Sequence, residues 1–386
     1  MMLSKLIRIT TVPLSLDKLL TGQLKYMVGK GFDVYMISSM GNNVHFLEER
    51  ESSTFIAVEM TRFISPIKDL VSLFKLVRVF RKLKPDIVHT HTPKAGLLGM
   101  MAARIANVPI RLHTVAGLPL MEATGMKRRL LEYTEWLTYK CAIKVYPNST
   151  NLKEFILKSK FCSSDKLKVI GNGSSNGINT NHFKISPELV SKADSIKENF
   201  GLTESNFTFI FIGRLVKDKG IEELIQAFTS LAERHAQIRL LLVGPFEPEL
   251  DPLSAECLAM IGNSNAIINV GYQDDVRPYL AISNVLVFPS YREGFPNVPM
   301  QAGCFELPAI VTDINGCNEI IANEENGLII PPKNIDALQN AMSRLLTGEA
   351  LYGKLQKNSR PMIVDRYEQK HLWSLIYREY ESLLGG

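Results

Sequence analysis

At 386 residues the chain exceeds what one ordinary core encloses and suits two domains. Its composition, 46% hydrophobic and 22% charged, excludes a disordered chain, and no run of about 18 apolar residues reads as a membrane span. The net charge of +5 hides an asymmetry: residues 1–180 hold 26 Lys and Arg against 13 Asp and Glu (+13), leaving 18 against 26 (−8) for residues 181–386. The basic first half is therefore the one expected to face an anionic surface. Cys141, Cys162, Cys257, Cys304 and Cys317 are scattered and odd in number, with no C-x-x-C pair, which excludes a disulfide framework and a cysteine metal site. Met1 to Val12 is too short, and too interrupted by Lys5 and Arg8, for a secretory signal, so a cytoplasmic location is expected.

The first half alternates in period. Leu6 to Thr11 reads as a strand, Leu19 to Gly29 as a helix, Asp33 to Ser38 and Phe55 to Met60 as strands, and Ile67 to Leu83 as a helix. Ile87 to Thr90 is a buried strand, Gly96 to Ala106 a helix, Ile110 to Val115 a strand and Met126 to Cys141 a helix, before short strands at Lys144 to Tyr146 and Leu167 to Ile170. Residues 180–206, with Asn-Thr-Asn-His and a helix of mixed charge, read as a linker. The pattern then restarts: strand Phe207 to Ile212, helix Gly220 to Arg234, strands Arg239 to Val243 and Ile267 to Val270, a short helix Val276 to Ala281, strand Val285 to Phe288, a helix from Asn297 and strand Ala309 to Thr312. A last helix, Tyr367 to Leu384, follows Pro361 and has room to return to the first domain. Alternation of this kind predicts an α/β protein of two doubly wound, Rossmann-like domains facing across a cleft: 1–185, 186–365 and a C-terminal helix 366–386.

The stretch Val287 to Gly303 carries the strongest chemical signal. A buried strand breaks at Pro289-Ser290, a loop carries Arg292, Glu293 and Gly294, and a helix opens near Asn297, where Pro299 is tolerated in the first turn. Free N–H groups and the positive end of the helix dipole suit phosphate oxygens, whereas Glu293 suits hydroxyls, so sugar plus diphosphate is the ligand that needs both. Gly213-Arg-Leu-Val-Lys-Asp-Lys-Gly220 offers Arg214 and Lys219 from one strand-to-helix loop; it is either a diphosphate grip or a solvated loop. His113 ends a buried strand, as a substrate contact or a core histidine. His89 and His91 are expected on opposite faces of their strand, one toward ligand and one inward, and so unable to share a metal. Thr21-Gly22 serves an anion or tightens a turn, and Asn172 to Asn179 lines the hinge side of the cleft or is simply a turn. The basic amphipathic segments Pro66 to Lys84 and Met126 to Trp136 lie on an anionic membrane or pack on a sheet.

The ordered set PDIVHTHTPKAG, HTVAGLP, SNGIN, GRLVKDKG, NVGYQDDV and PSYREGFPN resembles the retaining GT-B glycosyltransferases of family 4, especially those of bacterial capsule and O-antigen synthesis, over nearly the whole chain. The resemblance implies a transferase of hexosyl type moving sugar from a nucleotide diphosphate donor, UDP-linked by family habit, to a lipid-linked saccharide acceptor. It implies a peripheral place on the inner membrane face, no metal, no cofactor and no nucleic-acid partner. It assigns Arg214 and Lys219 to the diphosphate, with Gly213 letting the backbone come close. Glu293 is assigned to donor hydroxyls as the first Glu of a Glu-x7-Glu motif, and the N–H groups of Phe295, Asn297 and Val298 to phosphate and sugar. Position 301 goes to the ribose diol, Tyr272 to the base, His113 to the donor sugar, and Gly22 to the diphosphate and acceptor. Two departures stand out: Gln301 replaces the second Glu, and Thr21 stands where a second glycine often does. The competing readings are a nucleotide-sugar 2-epimerase of the same fold and a non-catalytic sugar-nucleotide-binding protein.

Overall fold

The computed structural model describes residues 3–61, 63, 65–118, 120, 123–249 and 251–385; Met1 and Met2 of the opening segment and Pro119 of the HTVAGLP stretch lie outside these. The chain divides into two compact units, residues 1–177 with 369–386, and residues 178–368. Among the described residues each unit carries a six-stranded parallel sheet. Apolar runs such as Phe209-Ile-Phe-Ile212 and Leu240-Leu-Leu-Val243 form strands buried on both faces, as parallel sheets flanked by helices require.

The first unit runs β1 (Ser4–Ile9), α1 (Pro13–Leu20), α2 (Gln23–Gly29), β2 (Phe32–Ser38), α3 (Val44–Glu51), β3 (Thr54–Ala57), α4 (Pro66–Leu83), β4 (Ile87–Thr90), α5 (Pro93–Ile105), β5 (Ile110–Val115), α6 (Gly125–Cys141), β6 (Lys144–Pro147) and α7 (Thr150–Lys158). Its strand order is β3-β2-β1-β4-β5-β6. The helix expected over Leu19 to Gly29 is broken at Gly22, which is left-handed at φ +77° and gives its N–H to Glu51 at 2.8 Å. The strand expected at Leu167 to Ile170 reduces to a single bridge between Leu167 and Val145.

The second unit runs α8 (Pro187–Asn199), β7 (Phe207–Ile212), α9 (Ile221–Ala232), β8 (Ile238–Val243), α10 (Ala255–Asn263), β9 (Ile267–Gly271), α11 (Arg277–Ala281), β10 (Val285–Phe288), α12 (Asn297–Cys304), β11 (Ala309–Thr312), α13 (Cys317–Ile320), β12 (Gly327–Ile330), α14 (Ile335–Thr347) and α15 (Glu349–Tyr367). Its order, β12-β11-β10-β7-β8-β9, repeats the arrangement of the first sheet. In each, the order reverses beside the first strand, and doubly wound sheets bind ligands beyond the carboxyl ends of the strands at that point. The mixed-charge helix expected within residues 180–206 is α8, which buries Leu189 and Ala193, packs on α11 and is capped by Ser186, so it is part of the second unit's fold rather than a plain linker. Pro361 sits inside α15, ahead of the final helix as expected.

The last helix, α16 (Gln369–Leu384), belongs to the first unit. Leu372, Ile376 and Tyr380 join Leu6, Leu16, Leu24 and Leu112 in one apolar cluster. Beneath it lies a polar knot. The buried Arg8 guanidinium of β1 donates to Gln23 Oε1 at 2.6 Å, to Tyr380 Oη at 3.0 Å and to His91 Nε2 at 3.2 Å from Nε. His89 bonds Tyr380 Oη through Nδ1 at 2.6 Å and Thr114 Oγ1 through Nε2 at 2.7 Å. The His89 and His91 rings stack at 4.6 Å, which corrects the expectation of opposite faces: a strand repeats every two residues, so positions two apart share a face. Burial beside Arg8 holds both imidazoles well below the usual histidine range, hence neutral. Arg8, Gln23, His89, His91 and Asn148 line a cavity of about 20 Å³, the size of one water.

Tyr380→Phe deletes one hydroxyl that serves both Arg8 and His89. Two buried groups then lose a partner, so the urea midpoint of the first unit should fall by the equivalent of about 1–3 kcal/mol. An unchanged midpoint would show that the knot does not anchor α16.

Candidate functional site

In the second unit the reversal point lies between β7 and β10, and the sequence-predicted groups gather on the loops leaving them. Gly220, left-handed at φ +69°, opens α9; a Cβ there would stand 2.2 Å from the carbonyl oxygen of Pro289. Only glycine lets the two loops meet so closely. Tyr291 N–H then donates to Asp218 O at 2.9 Å, and Lys219 Nζ reaches Glu293 Oε1 at 2.5 Å with both side chains mostly buried. From the far side Gly316 packs on Gly294, and Asn315 donates to the Gly294 carbonyl at 2.6 Å. Gly213 (φ +154°) ends β7, and Arg214 pairs with Glu247 at 2.9 Å. Arg292 pairs with Asp218 at 2.8 Å.

Helix α12 begins after Pro296 with no side-chain cap, so its first N–H groups lack a capping partner. Asn297 and Gln301, four residues apart, share one face of it. Phe295 turns inward against Tyr367, with ring centres 5.6 Å apart, and Val298 packs against the core. Tyr272, after the left-handed Gly271, is exposed, its hydroxyl donating to Asp274 at 3.0 Å. The loops thus bring Arg214, Lys219 and Glu293 to the carboxyl ends of the strands beside α12, with Tyr272 on the loop after β9.

In the first unit His113 lies within β5, two residues before its carboxyl end. Its Nδ1 lies 2.8 Å from Thr90 Oγ1, and a Cβ on Gly96 of α5 would stand 2.4 Å from the ring. With Thr90 holding Nδ1, Nε2 remains to face the cavity that the ring lines. Burial lowers His113 to about 4, so the ring is neutral at pH 7. Gly22 lies elsewhere in the unit and is already occupied: Glu51 holds its N–H, and a Cβ would stand 2.8 Å from the Trp373 ring. Of the two readings of Thr21-Gly22, this geometry suits the turn.

Sequence reasoning missed Asp218, Glu247 and Glu135. Asp218 sits inside the Gly213 to Gly220 loop and could have been weighed as a partner for Arg292. Glu247 follows a strand in Pro245-Phe-Glu-Pro, with no pattern to tie it to Arg214. Glu135 falls on the inward face of α6, where helical spacing from Tyr139 would have flagged a buried acid.

Residues 20–175 match the family model described as Glycosyltransferase Family 4, and residues 192–362 match the one described as Glycosyl transferases group 1. The capsular polysaccharide biosynthesis glycosyltransferase CapM of Staphylococcus aureus is 32% identical, over 98% of this chain and 97% of its own length. The UDP-Gal:alpha-D-GlcNAc-diphosphoundecaprenol alpha-1,3-galactosyltransferase of Escherichia coli is 31% identical, over 89% of this chain and 88% of its own. Among solved structures, a glycosyltransferase from Rickettsia africae ESF-5 shares the fold with a TM-score of 0.83 at 21% identity, covering 99% of this chain and 98% of that one. Two Rossmann-like units in the GT-B pattern, matched along almost their entire length by a relative one-third identical, make this chain a glycosyltransferase of family 4.

Proposed function

We propose that the protein transfers a sugar, with retention of anomeric configuration, from a nucleotide diphosphate donor to a hydroxyl of a lipid-linked saccharide in surface polysaccharide synthesis. The observation that carries this reading is the Lys219–Glu293 pair at 2.5 Å, which unites a cation and a carboxylate beside the N-terminus of α12. Arg214, Lys219 and the α12 N–H groups receive the diphosphate, and Glu293 turns to donor hydroxyls once Lys219 has a phosphate to bind. Gly213 lets the backbone approach the phosphates. The N–H groups of Phe295, Asn297 and Val298 extend the contact, Gln301 takes the ribose diol, Tyr272 meets the base, and His113 takes a sugar hydroxyl in the first unit. Negative charge grows on the leaving phosphate as the glycosidic bond breaks, and preorganised cations and N–H groups stabilise it. The departing phosphate accepts the proton of the attacking hydroxyl. UDP is the favoured carrier: the Escherichia coli relative is named for UDP-Gal, and its acceptor, like that of a Campylobacter jejuni relative, is named as a diphospho-undecaprenol-linked sugar.

A nucleotide-sugar 2-epimerase would need a carboxylate pair in the first unit. Of the buried acids described there, Glu51 is bonded to Gly22 and Arg50, and Glu379 to Tyr146 and Lys168. That leaves Glu135 without a second. Incubation with donor alone separates the readings, because an epimerase makes epimer without acceptor.

The membrane reading rests on what α4 and α6 expose. Ile67, Leu70 and Phe74 of α4 and Met126, Leu130 and Tyr133 of α6 are solvent-exposed rather than folded into the core. Lys68, Lys75, Arg78, Lys127, Arg128 and Arg129 stand among them, and both helices pack on α5. Apolar side chains ringed by cations fit an anionic bilayer surface, each cation adding on the order of 1 kcal/mol.

Three outcomes test these assignments. Lys219→Ala should cut transfer to a lipid-linked acceptor by about 10²–10³, with folding intact; turnover within threefold of wild type removes Lys219 from the site. Gln301→Glu should keep activity and not weaken nucleotide binding by thermal shift, because a carboxylate bonds ribose hydroxyls at least as well as an amide. A loss of more than tenfold would mean that the ribose lies elsewhere. The protein should co-sediment with phosphatidylglycerol vesicles and not with phosphatidylcholine vesicles, and equal behaviour toward both sinks the membrane assignment.

A further inference from the structure

At the carboxyl end of β5, the first unit carries a partly open cavity of about 100 Å³, roughly the share of three liquid waters. Thr92, Pro93, His113, Thr114, Gly117 and Glu135 line it. Glu135 projects from α6 and is 5% exposed, yet among the described residues no basic side chain pairs with it. The groups around it are few. Tyr139, one turn along α6, faces it, and the Tyr139 hydroxyl is itself buried without a well-placed hydrogen-bond partner. Cys162 faces Tyr139 from beyond, and His113 lines the cavity from β5. On α5, Lys94 is held by Asp69, while Arg104 lies near Cys141, as does Arg111 of β5. A carboxyl taken out of water with no cation costs several kcal/mol as the anion, so it either takes up a proton or meets a polar guest.

We propose that Glu135 is a sugar-binding residue, and that it and His113 together hold one saccharide hydroxyl in this cavity. A hydroxyl both donates and accepts, and the two side chains offer the matching halves: the carboxylic acid donates to the hydroxyl oxygen, and His113 Nε2 accepts its proton. The His113 end is set by Thr90: its hydroxyl donates to the Leu112 carbonyl at 3.4 Å, which favours the tautomer in which Nδ1 donates to Thr90 and Nε2 keeps its lone pair. At the other end, burial raises Glu135 to about 7, against a smaller opposing effect of Tyr139, so the acid form persists near neutrality. The sign follows: the donor is present below about pH 7 and is lost as pH rises through that value. The inference rests on the proposed glycosyl transfer and extends it to a residue that the family motifs do not reach. Donor sugar and acceptor saccharide share the required chemistry.

The test combines infrared difference spectra with kinetics on the full chain. At pH 6 a protonated-carboxyl band, absent from Glu135→Gln, should shift on adding a nucleotide sugar (UDP-glucose, UDP-galactose or UDP-N-acetylglucosamine) or a short-chain diphospholipid-linked N-acetylhexosamine. Whichever probe moves it is the source of the hydroxyl. In transfer assays, wild-type kcat/KM for that substrate should decline above pH 7. Glu135→Gln, whose amide still donates, should flatten the profile, and Glu135→Leu should lose about 10–100-fold. A band that neither probe shifts, or a Glu135→Gln profile identical to wild type, overturns the inference even if Glu135→Leu misfolds. Wild-type transfer with an unmoved band sinks Glu135 alone. Absence of transfer from every donor counts against the glycosyl-transfer reading itself.

Discussion

One close approach, Gly220 against the carbonyl of Pro289, sets the geometry of the second unit's carboxyl end. Any side chain at 220 would force the β7–α9 and β10–α12 loops apart, and the contacts across them would go with it. Because the loops touch, Lys219 meets Glu293, Arg292 meets Asp218, and the backbones of Tyr291 and Asp218 bond directly. The cations are thus already neutralised by carboxylates before any phosphate enters. On the proposed reading, an entering diphosphate would exchange one set of anionic partners for another within a fixed frame. That is preorganisation in the electrostatic sense, since little has to move when charge develops.

The first unit solves a similar problem by the opposite means. Its sheet has the same strand order, but the groups at its carboxyl end are buried and uncharged: His89, His91 and His113 are held neutral by burial. The exception is Arg8, whose charge is spread over a glutamine, a histidine and a tyrosine rather than matched by one carboxylate. A charge so arranged is satisfied only while every partner stays in place, which makes the knot demanding of geometry as well as of chemistry.

Much of this was legible in the chain. Strands buried on both faces announce themselves as apolar runs, so Phe207 to Ile212, Ile110 to Val115 and Val285 to Phe288 could be delimited to the residue. Loops punctuated by glycine and proline marked where Lys219 and Glu293 would stand. What escaped were partners distant in sequence. Nothing local ties Arg8 to Tyr380, 372 positions away, or Arg214 to Glu247. Helix α8 is legible as a helix of mixed charge, but with only two side chains buried its sequence does not show that it belongs to the second unit. The error over His89 and His91 lay in the reasoning rather than in the residues, because strand periodicity already implies that they share a face.

The return of α16 to the first sheet has a consequence for how the protein is made. Residues 178–368 form a contiguous unit, whereas the first unit joins residues from both sides of it. During synthesis Arg8 leaves the ribosome long before its hydroxyl partner Tyr380, which is 372 positions later. The first sheet must wait with a buried-charge site open and its apolar face over Leu6 and Leu24 uncovered while the second unit completes its fold. The order of completion is therefore the reverse of the order of translation. Closure of the first unit therefore reports that the second has been passed.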